Sequence, residues 1–290
     1  MVDLHTHTNC SDGSLTPIQL VDLACEKGLK AFSITDHDSL DGYDGALAYA
    51  DSCGIDLVCG VELSSIFHGR PIHVLGYFLH EDPGLLFRKR LSSVQKTRRE
   101  RNQRLAERLR ELGLSVRLSD AEELGCLQTG RPHFAQVLVN KGYVSSYREA
   151  FDRYLDESKP GYVERRDPSV ENVLTWIRDG KGVSSWAHPM RFVEQEGVPA
   201  EELFSELADK GLNAVEVFHS DHTLQQREIL HKAALSRDLL VTGGSDFHGE
   251  GRSRAALGSL NLPLSILENL RTVNQPGNAV SSNRGLPKNS

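Results

Sequence analysis

Two histidines stand one residue apart near the N-terminus, in Asp3-Leu4-His5-Thr6-His7, and Asp12-Gly13 follows five residues on. On an extended chain, residues i and i+2 point to the same face, so His5 and His7 present two imidazoles side by side. Two imidazoles with a nearby carboxylate are a usual start to a divalent-metal site. One such pair alone is weak, because paired histidines are common on surfaces and in cores. Here the pattern recurs. Thr35-Asp36-His37-Asp38, Gly60-Val61-Glu62, Ile72-His73-Val74, Ala187-His188-Pro189 and Gly244-Ser245-Asp246-Phe247-His248 each lie at or close to a short apolar run. Chance accounts for one or two such placements, not for this many.

Those runs are the elements that must position the ligands. Strands are expected at Val2–His5, Ala31–Thr35, Leu57–Glu62, Ile72–Phe78, Gly182–Ala187, Ala214–Phe218 and Leu239–Gly243. Amphipathic stretches lie between many of them. Thr16-Pro17-Ile18-Gln19 reads as a helix start, with Thr16 as N-cap, Pro17 at the first helical position and Gln19 closing a capping box. Leu20, Val21, Leu23 and Ala24 then form a buried stripe, as do Leu203, Phe204, Leu207 and Ala208. Strands alternating with helices predict a parallel sheet, and about seven repeats predict a closed or nearly closed α/β barrel. In such barrels the C-terminal strand ends form the face where active sites assemble.

Residues 85–165 break the rhythm. Leu85–Gly113 is one long Arg-rich helical pattern, stopped by Gly113, and helical patterns without clear strands continue to about Tyr162. The expected organisation is a barrel from 1–84 and 166–273, a helical insertion at 85–165, and a flexible tail at 274–290 rich in Asn, Ser, Gly and Pro.

The chain has 290 residues and a net charge of −7. The charge is uneven, since residues 85–117 hold eleven Lys/Arg against three Asp/Glu. An acidic body with one basic segment suits a protein that gathers cations in one place and meets an anionic ligand at another; a solvated helix face is the alternative. The five cysteines, Cys10, Cys25, Cys53, Cys59 and Cys126, are odd in number and form no CxxC pair, so neither a disulfide framework nor a zinc ribbon is expected. No apolar run approaches the roughly 18–20 residues needed to span a bilayer. The first ten residues carry no secretory signal pattern, and a cytoplasmic location is expected.

The ordered set HxH…DG, TDHD, GvE, HvLGY, AHP and GSDFH resembles the PHP (polymerase and histidinol phosphatase) phosphoesterases, over roughly residues 1–84 and 168–270. The resemblance implies a distorted seven-stranded (β/α) barrel with a cluster of up to three divalent metals. It implies one metal at His5, His7, Glu62 and Asp246. A second would share Glu62 with His73 and His188, and a third would use Asp12, His37 and His248. Manganese is the implied ion, with iron, zinc or magnesium as alternatives. All nine positions hold competent ligands, which favours an enzyme over a non-catalytic, metal-stabilised binding domain.

The single insertion is similar to that of small stand-alone family members that act on nucleoside 3′,5′-bisphosphates and on the 5′ ends of short RNAs. Thr129-Gly130-Arg131-Pro132-His133-Phe134-Ala135 resembles a substrate-binding stretch of that group, and Lys159-Pro160-Gly161-Tyr162-Val163 matches its pattern. Arg131, His133, Arg191, Lys159 and His222 are therefore the candidate substrate contacts. A plain helix start would explain Pro132 as well. Asp36 is expected either to orient the His37 imidazole or to cap a helix. The chemistry implied is hydrolysis of a phosphate ester by metal-activated water, with a small nucleotide or short RNA as substrate, no membrane and no obligate protein partner. Histidinol phosphate or another small phosphate is the alternative substrate.

Overall fold

The computed structural model describes residues 1–125, 129–164, 166–249 and 255–273; the tail expected at 274–290 lies outside them. Seven strands form one sheet in chain order: β1 (Val2–Thr6), β2 (Ala31–Ile34), β3 (Asp56–Phe67), β4 (Arg70–Phe78), β5 (Val183–Trp186), β6 (Ala214–His219) and β7 (Leu240–Gly244). The sheet nearly closes. Beyond the end of β7, Phe247 bridges Thr6 of β1, and the Asp246 N–H donates to the His5 carbonyl at 2.9 Å.

All seven expected strands are present, but the sheet is not wholly parallel. β4 runs antiparallel to both β3 and β5, while the remaining pairs are parallel. The cause is a two-residue hairpin turn at His68-Gly69, where both residues have positive φ, 47° and 73°. That is the geometry of the turns whose twist suits paired strands. It lengthens both strands, with Phe67 opposite Arg70 and Ser64 opposite His73. His73 therefore reaches the ligand face from the first half of its strand, not from a C-terminal end.

Helix α1 (Pro17–Glu26) begins with the expected reciprocal Thr16–Gln19 capping box. α2 (Asp41–Cys53) follows β2. α7 (Val170–Asp179) packs Val170, Val173, Leu174 and Ile177 into the largest apolar cluster, with Val61, Leu63, Val74 and Trp186 of the sheet. α8 (Met190–Glu196), α9 (Ala200–Asp209), α10 (Leu224–Leu235) and α11 (Ser265–Arg271) complete the outer layer.

Between β4 and α7 no strand occurs among the described residues. α3 (Gly84–Glu111) is 28 residues long, about 42 Å at 1.5 Å per residue. Its first turns, with Phe87 and Leu91, join the barrel core. Its last turns, with Leu105, Ala106 and Leu109, join a separate cluster with Val116, Phe134, Leu138 and Leu155. α4 (Leu118–Gly125), α5 (Arg131–Asn140), α6 (Tyr147–Ala150) and a π-helical turn at Phe151–Leu155 surround that second core. Between the two apolar ends, the buried stripe of α3 carries Arg98, Arg101 and Asn102. No helix among the described residues is long and apolar enough to cross a membrane.

Candidate metal centre

Glu62 lies at the centre of the ligand face. Its Oε2 is 3.3 Å from His5 Nε2, 3.2 Å from His7 Nε2 and 3.2 Å from His37 Nδ1. Its Oε1 is 2.9 Å from His73 Nδ1 and 3.1 Å from His188 Nε2. Asp246 Oδ1 adds contacts of 3.3 Å to both His5 Nε2 and His7 Nε2. Asp12 lies between His248 Nε2, at 3.2 Å, and His37 Nε2, at 3.6 Å. All nine expected ligands thus converge.

The donor set fits divalent ions. His5 Nε2, His7 Nε2, His37 Nδ1 and His73 Nδ1 are buried and make no hydrogen bond, although each lies close to a carboxylate oxygen. A buried polar atom without a partner is costly. Atoms that share an ion at about 2.0–2.2 Å sit roughly 3–3.5 Å from one another, which is the spacing found here. His5, His7, Glu62 and Asp246 offer one such group; His7, Asp12, His37 and His248 offer another; His37, Glu62 and His73 offer a third.

Local backbone aims these groups. His188 and Asp246 adopt positive φ, 35° and 55°, a conformation non-glycine residues take at a cost and most often at functional sites. The Asp36 carboxylate accepts from the Thr8 N–H at 2.7 Å, the Thr8 hydroxyl at 2.5 Å and the Ser11 hydroxyl at 2.5 Å. It therefore fixes the turn that carries Asp12. This corrects both expected roles: Asp36 orients the turn, not the His37 ring, and it caps no helix.

Electrostatics follow from crowding. Burial alone would raise the Glu62 carboxyl, but His37, His73 and His5 around it hold it well below the usual range. Burial likewise opposes charging of His7, yet Asp246 and Glu62 outweigh it and lift the imidazole to about 10. Burial dominates at His37 and His188, which fall to about 3 and about 4.

Two clefts open at the cluster and share Asp12, His37, His73, Pro132 and His133. One, of about 710 Å³, adds Glu62, His188, Arg191, Asp221, Leu124 and Tyr147. The other, of about 410 Å³, adds Arg98, Arg101, Arg131 and Tyr162, with Glu157, Glu164 and Asp167 also in its wall.

The expected substrate contacts divide accordingly. Arg131 lines the smaller cleft, with its guanidinium 5.7 Å from the Tyr162 ring centroid and Nη1 donating to the Leu155 carbonyl at 3.3 Å. His133 lines both clefts, but its Nδ1 accepts from the Gly130 N–H at 3.0 Å, so it also caps α5 as the plain helix start requires. Arg191 lines the larger cleft, held by Asp221 at 2.6 Å and lying 3.7 Å from Asp246. Lys159 lines neither cleft; its backbone N–H donates to the Asp156 carbonyl in a turn. His222 is buried behind the ligand layer, where Nδ1 donates to the Val217 carbonyl at 2.9 Å. Neither of these two lines a cleft at the cluster.

The basic segment is also more structural than its charge suggests. Arg88 pairs with Asp44 and Asp82, Arg90 with Asp179, Arg99 with Glu122, and Arg108 with Glu111. Only Arg98 and Arg101 of this helix line a cleft. Arg98 pairs with the fully buried Asp38, whose carboxylate also accepts from the Ser64 N–H at 2.8 Å.

Sequence reasoning passed over Glu216. It is fully buried in β6, accepts from His5 Nδ1 at 2.9 Å and from the His188 N–H at 2.8 Å, and is flanked by apolar neighbours. A carboxylate inside the otherwise apolar Ala-Val-Glu-Val-Phe strand was the available signal. His219, in the same strand, places Nε2 3.3 Å from Asp246 Oδ2.

The family model described as the PHP domain matches residues 3–166. The chain is 32% identical over 267 residues to a 3′,5′-nucleoside bisphosphate phosphatase of Chromobacterium violaceum, covering 89% of this chain and 90% of that one. It is 32% identical over 247 residues to a 5′-3′ exoribonuclease of Haemophilus influenzae, covering 85% and 89%. Among solved structures, a metal-dependent phosphoesterase of Bifidobacterium adolescentis superposes with a TM-score of 0.82 at 29% identity, covering 93% of this chain and 95% of that one.

Proposed function

The chain belongs to the PHP domain family of metal-dependent phosphoesterases, and from that premise we propose that it removes the 3′-phosphate of nucleoside 3′,5′-bisphosphates and 5′-terminal nucleotides from short RNA. The observation that carries this reading is the junction of two features. Unpartnered imidazole nitrogens converge on Glu62, and an arginine-lined cleft opens beside them. A bisphosphate needs both, one to act on a phosphate and one to neutralise the other.

The proposed ligands are His5, His7, Glu62 and Asp246 for one ion, Glu62, His73 and His188 for a second, and Asp12, His37 and His248 for a third. The mixed imidazole and carboxylate set suits manganese, iron or zinc, and manganese is the ion proposed. Divalent ions bound there supply Lewis acidity toward phosphoryl oxygens and lower the pKa of water.

The chain's own residues do the rest. Glu216 accepts the His5 Nδ1 proton, which fixes the tautomer that leaves Nε2 free to ligate. Asp221 holds the Arg191 guanidinium at the rim, within reach of an oxygen of the phosphate being cleaved. Arg131 and Arg101 supply cationic groups in the smaller cleft for the phosphate that stays. Histidinol phosphate has a single phosphate and leaves that cleft without a purpose. The test is a substrate panel with reconstituted protein: adenosine 3′,5′-bisphosphate, a 5′-phosphorylated RNA oligomer and histidinol phosphate. Preference for the first two supports the reading, and preference for histidinol phosphate overturns it.

A further inference from the structure

The two clefts are arms of one groove, because they meet at Asp12, His37, His73, Pro132 and His133. Their remaining walls differ in chemistry. The smaller arm carries Arg98, Arg101 and Arg131 together with Glu157, Glu164 and Asp167. The larger arm carries Leu124, Gln136 and Tyr147 together with Arg191 and Asp221. Leu124 and Tyr147 are 42% and 41% exposed, and of the large hydrophobic residues exposed among those described they alone line this groove.

A nucleoside bisphosphate has one nucleoside and two phosphates. On the reading above, one phosphate lies at the ligand cluster and the other in the arginine arm. Seven of the nine ligands line the larger arm, about 710 Å³, so it takes the cleaved phosphate, and its walls of Leu124, Gln136 and Tyr147 are left without a role. Its walls suit one unit in particular: an aromatic side chain for a base, the amide oxygen of Gln136, whose Nε2 donates to Asn140 at 2.6 Å, and beside them the Arg191 guanidinium, partly neutralised by Asp221, for the singly charged scissile phosphodiester.

We propose that this arm is the subsite for the nucleotide following the scissile phosphodiester, with its base stacked on Tyr147. This deepens the reading above and rests on it. The terminal nucleotide occupies the arginine arm, and the next one leaves through the Tyr147 arm. Water adds to phosphorus, the bond from phosphorus to the 3′-oxygen breaks, and that oxygen takes up the proton the water gives up. The phosphate stays on the 5′-carbon of the following nucleotide. The shortened chain again ends in a 5′-phosphate and can be bound again in the same register.

The test compares a 5′-phosphorylated RNA trinucleotide with adenosine 3′,5′-bisphosphate, which has no following nucleotide. Two readouts are taken: kcat/KM with metal-loaded protein, and equilibrium binding to metal-free protein. Base–aromatic stacking predicts that Tyr147→Ala lowers both values for the trinucleotide about tenfold more than for the bisphosphate. Tyr147→Phe, which keeps the ring, should restore the wild-type ratio. Equal losses on both substrates, or no loss on either, would overturn the subsite. So would wild-type protein that hydrolyses the bisphosphate and leaves the trinucleotide intact, while the phosphatase reading would stand. Metal-loaded wild type inactive on both would overturn the parent reading and this one with it.

Discussion

Glu216 and His5 face each other across the barrel interior, with Glu216 Oε1 accepting from His5 Nδ1 at 2.9 Å while the other carboxylate oxygen takes the His188 N–H at 2.8 Å. One buried carboxylate thus sets the ring of one proposed ligand and the backbone of another that lies far away in the chain.

Glu216→Gln is predicted to weaken metal binding more than it weakens folding. The amide keeps one acceptor and turns the other into a donor, so one of the two hydrogen bonds must become a donor–donor contact. Loss of such a supporting partner typically costs about tenfold to a hundredfold in metal affinity. Competition with a chelator measures the affinity, and thermal unfolding of the metal-free protein separates the fold. Unchanged affinity in a folded variant would remove Glu216 from the site.

His7→Ala, Glu62→Ala and Asp246→Asn are each predicted to abolish turnover while circular dichroism stays native. Their side chains point into the cluster, away from the apolar layers that hold the barrel. Near-native kcat with full metal content in any one of them would show that residue to be misassigned.

Metal loading is predicted to release protons. With His7 lifted to about 10 by its carboxylate neighbours, the metal-free protein carries a proton there at pH 7.5. An imidazole nitrogen must be unprotonated to ligate. Affinity should therefore rise with pH up to about 10. Calorimetry at pH 7.5 in buffers of different ionisation enthalpy should show net release of at least about one proton per chain. Heats that do not depend on the buffer would contradict the site's electrostatics.

Much of the ligand set was legible because strand periodicity and barrel topology restrict where side chains go. His5 and His7 share a face by alternation, and strand ends gather at one rim. What was not legible depended on contacts between distant segments. The antiparallel β4 turns on His68-Gly69, a two-residue signal that the alternation of strands and helices does not reveal. Glu216 stands in an otherwise apolar strand, and its partners His5 and His188 are remote in sequence. Arg98 and Arg101 were hidden among many basic residues, since composition does not tell which face of α3 turns toward the barrel. Lys159 rests on a short motif and His222 on its place after a strand, and neither signal fixes which way a side chain turns; neither residue lines a cleft at the cluster.

Arg131→Ala is predicted to lower kcat/KM for adenosine 3′,5′-bisphosphate by about tenfold to a hundredfold, from the loss of a charge-assisted hydrogen bond worth roughly 1.5–3 kcal/mol. The effect on p-nitrophenyl phosphate should be far smaller, since that ester has no second phosphate. Equal losses on both would place Arg131 at the chemistry itself, and no loss on either would leave it a helix-start residue packed on Tyr162.

The most direct test of the central claim is the number of divalent ions held per chain after reconstitution with manganese and removal of excess metal, measured by elemental analysis. Nine converging ligands exceed what one ion of the usual four to six coordination can use. More than one ion and up to three are expected, with the count falling in Glu62→Ala. One ion or fewer in the wild-type protein would contradict the cluster.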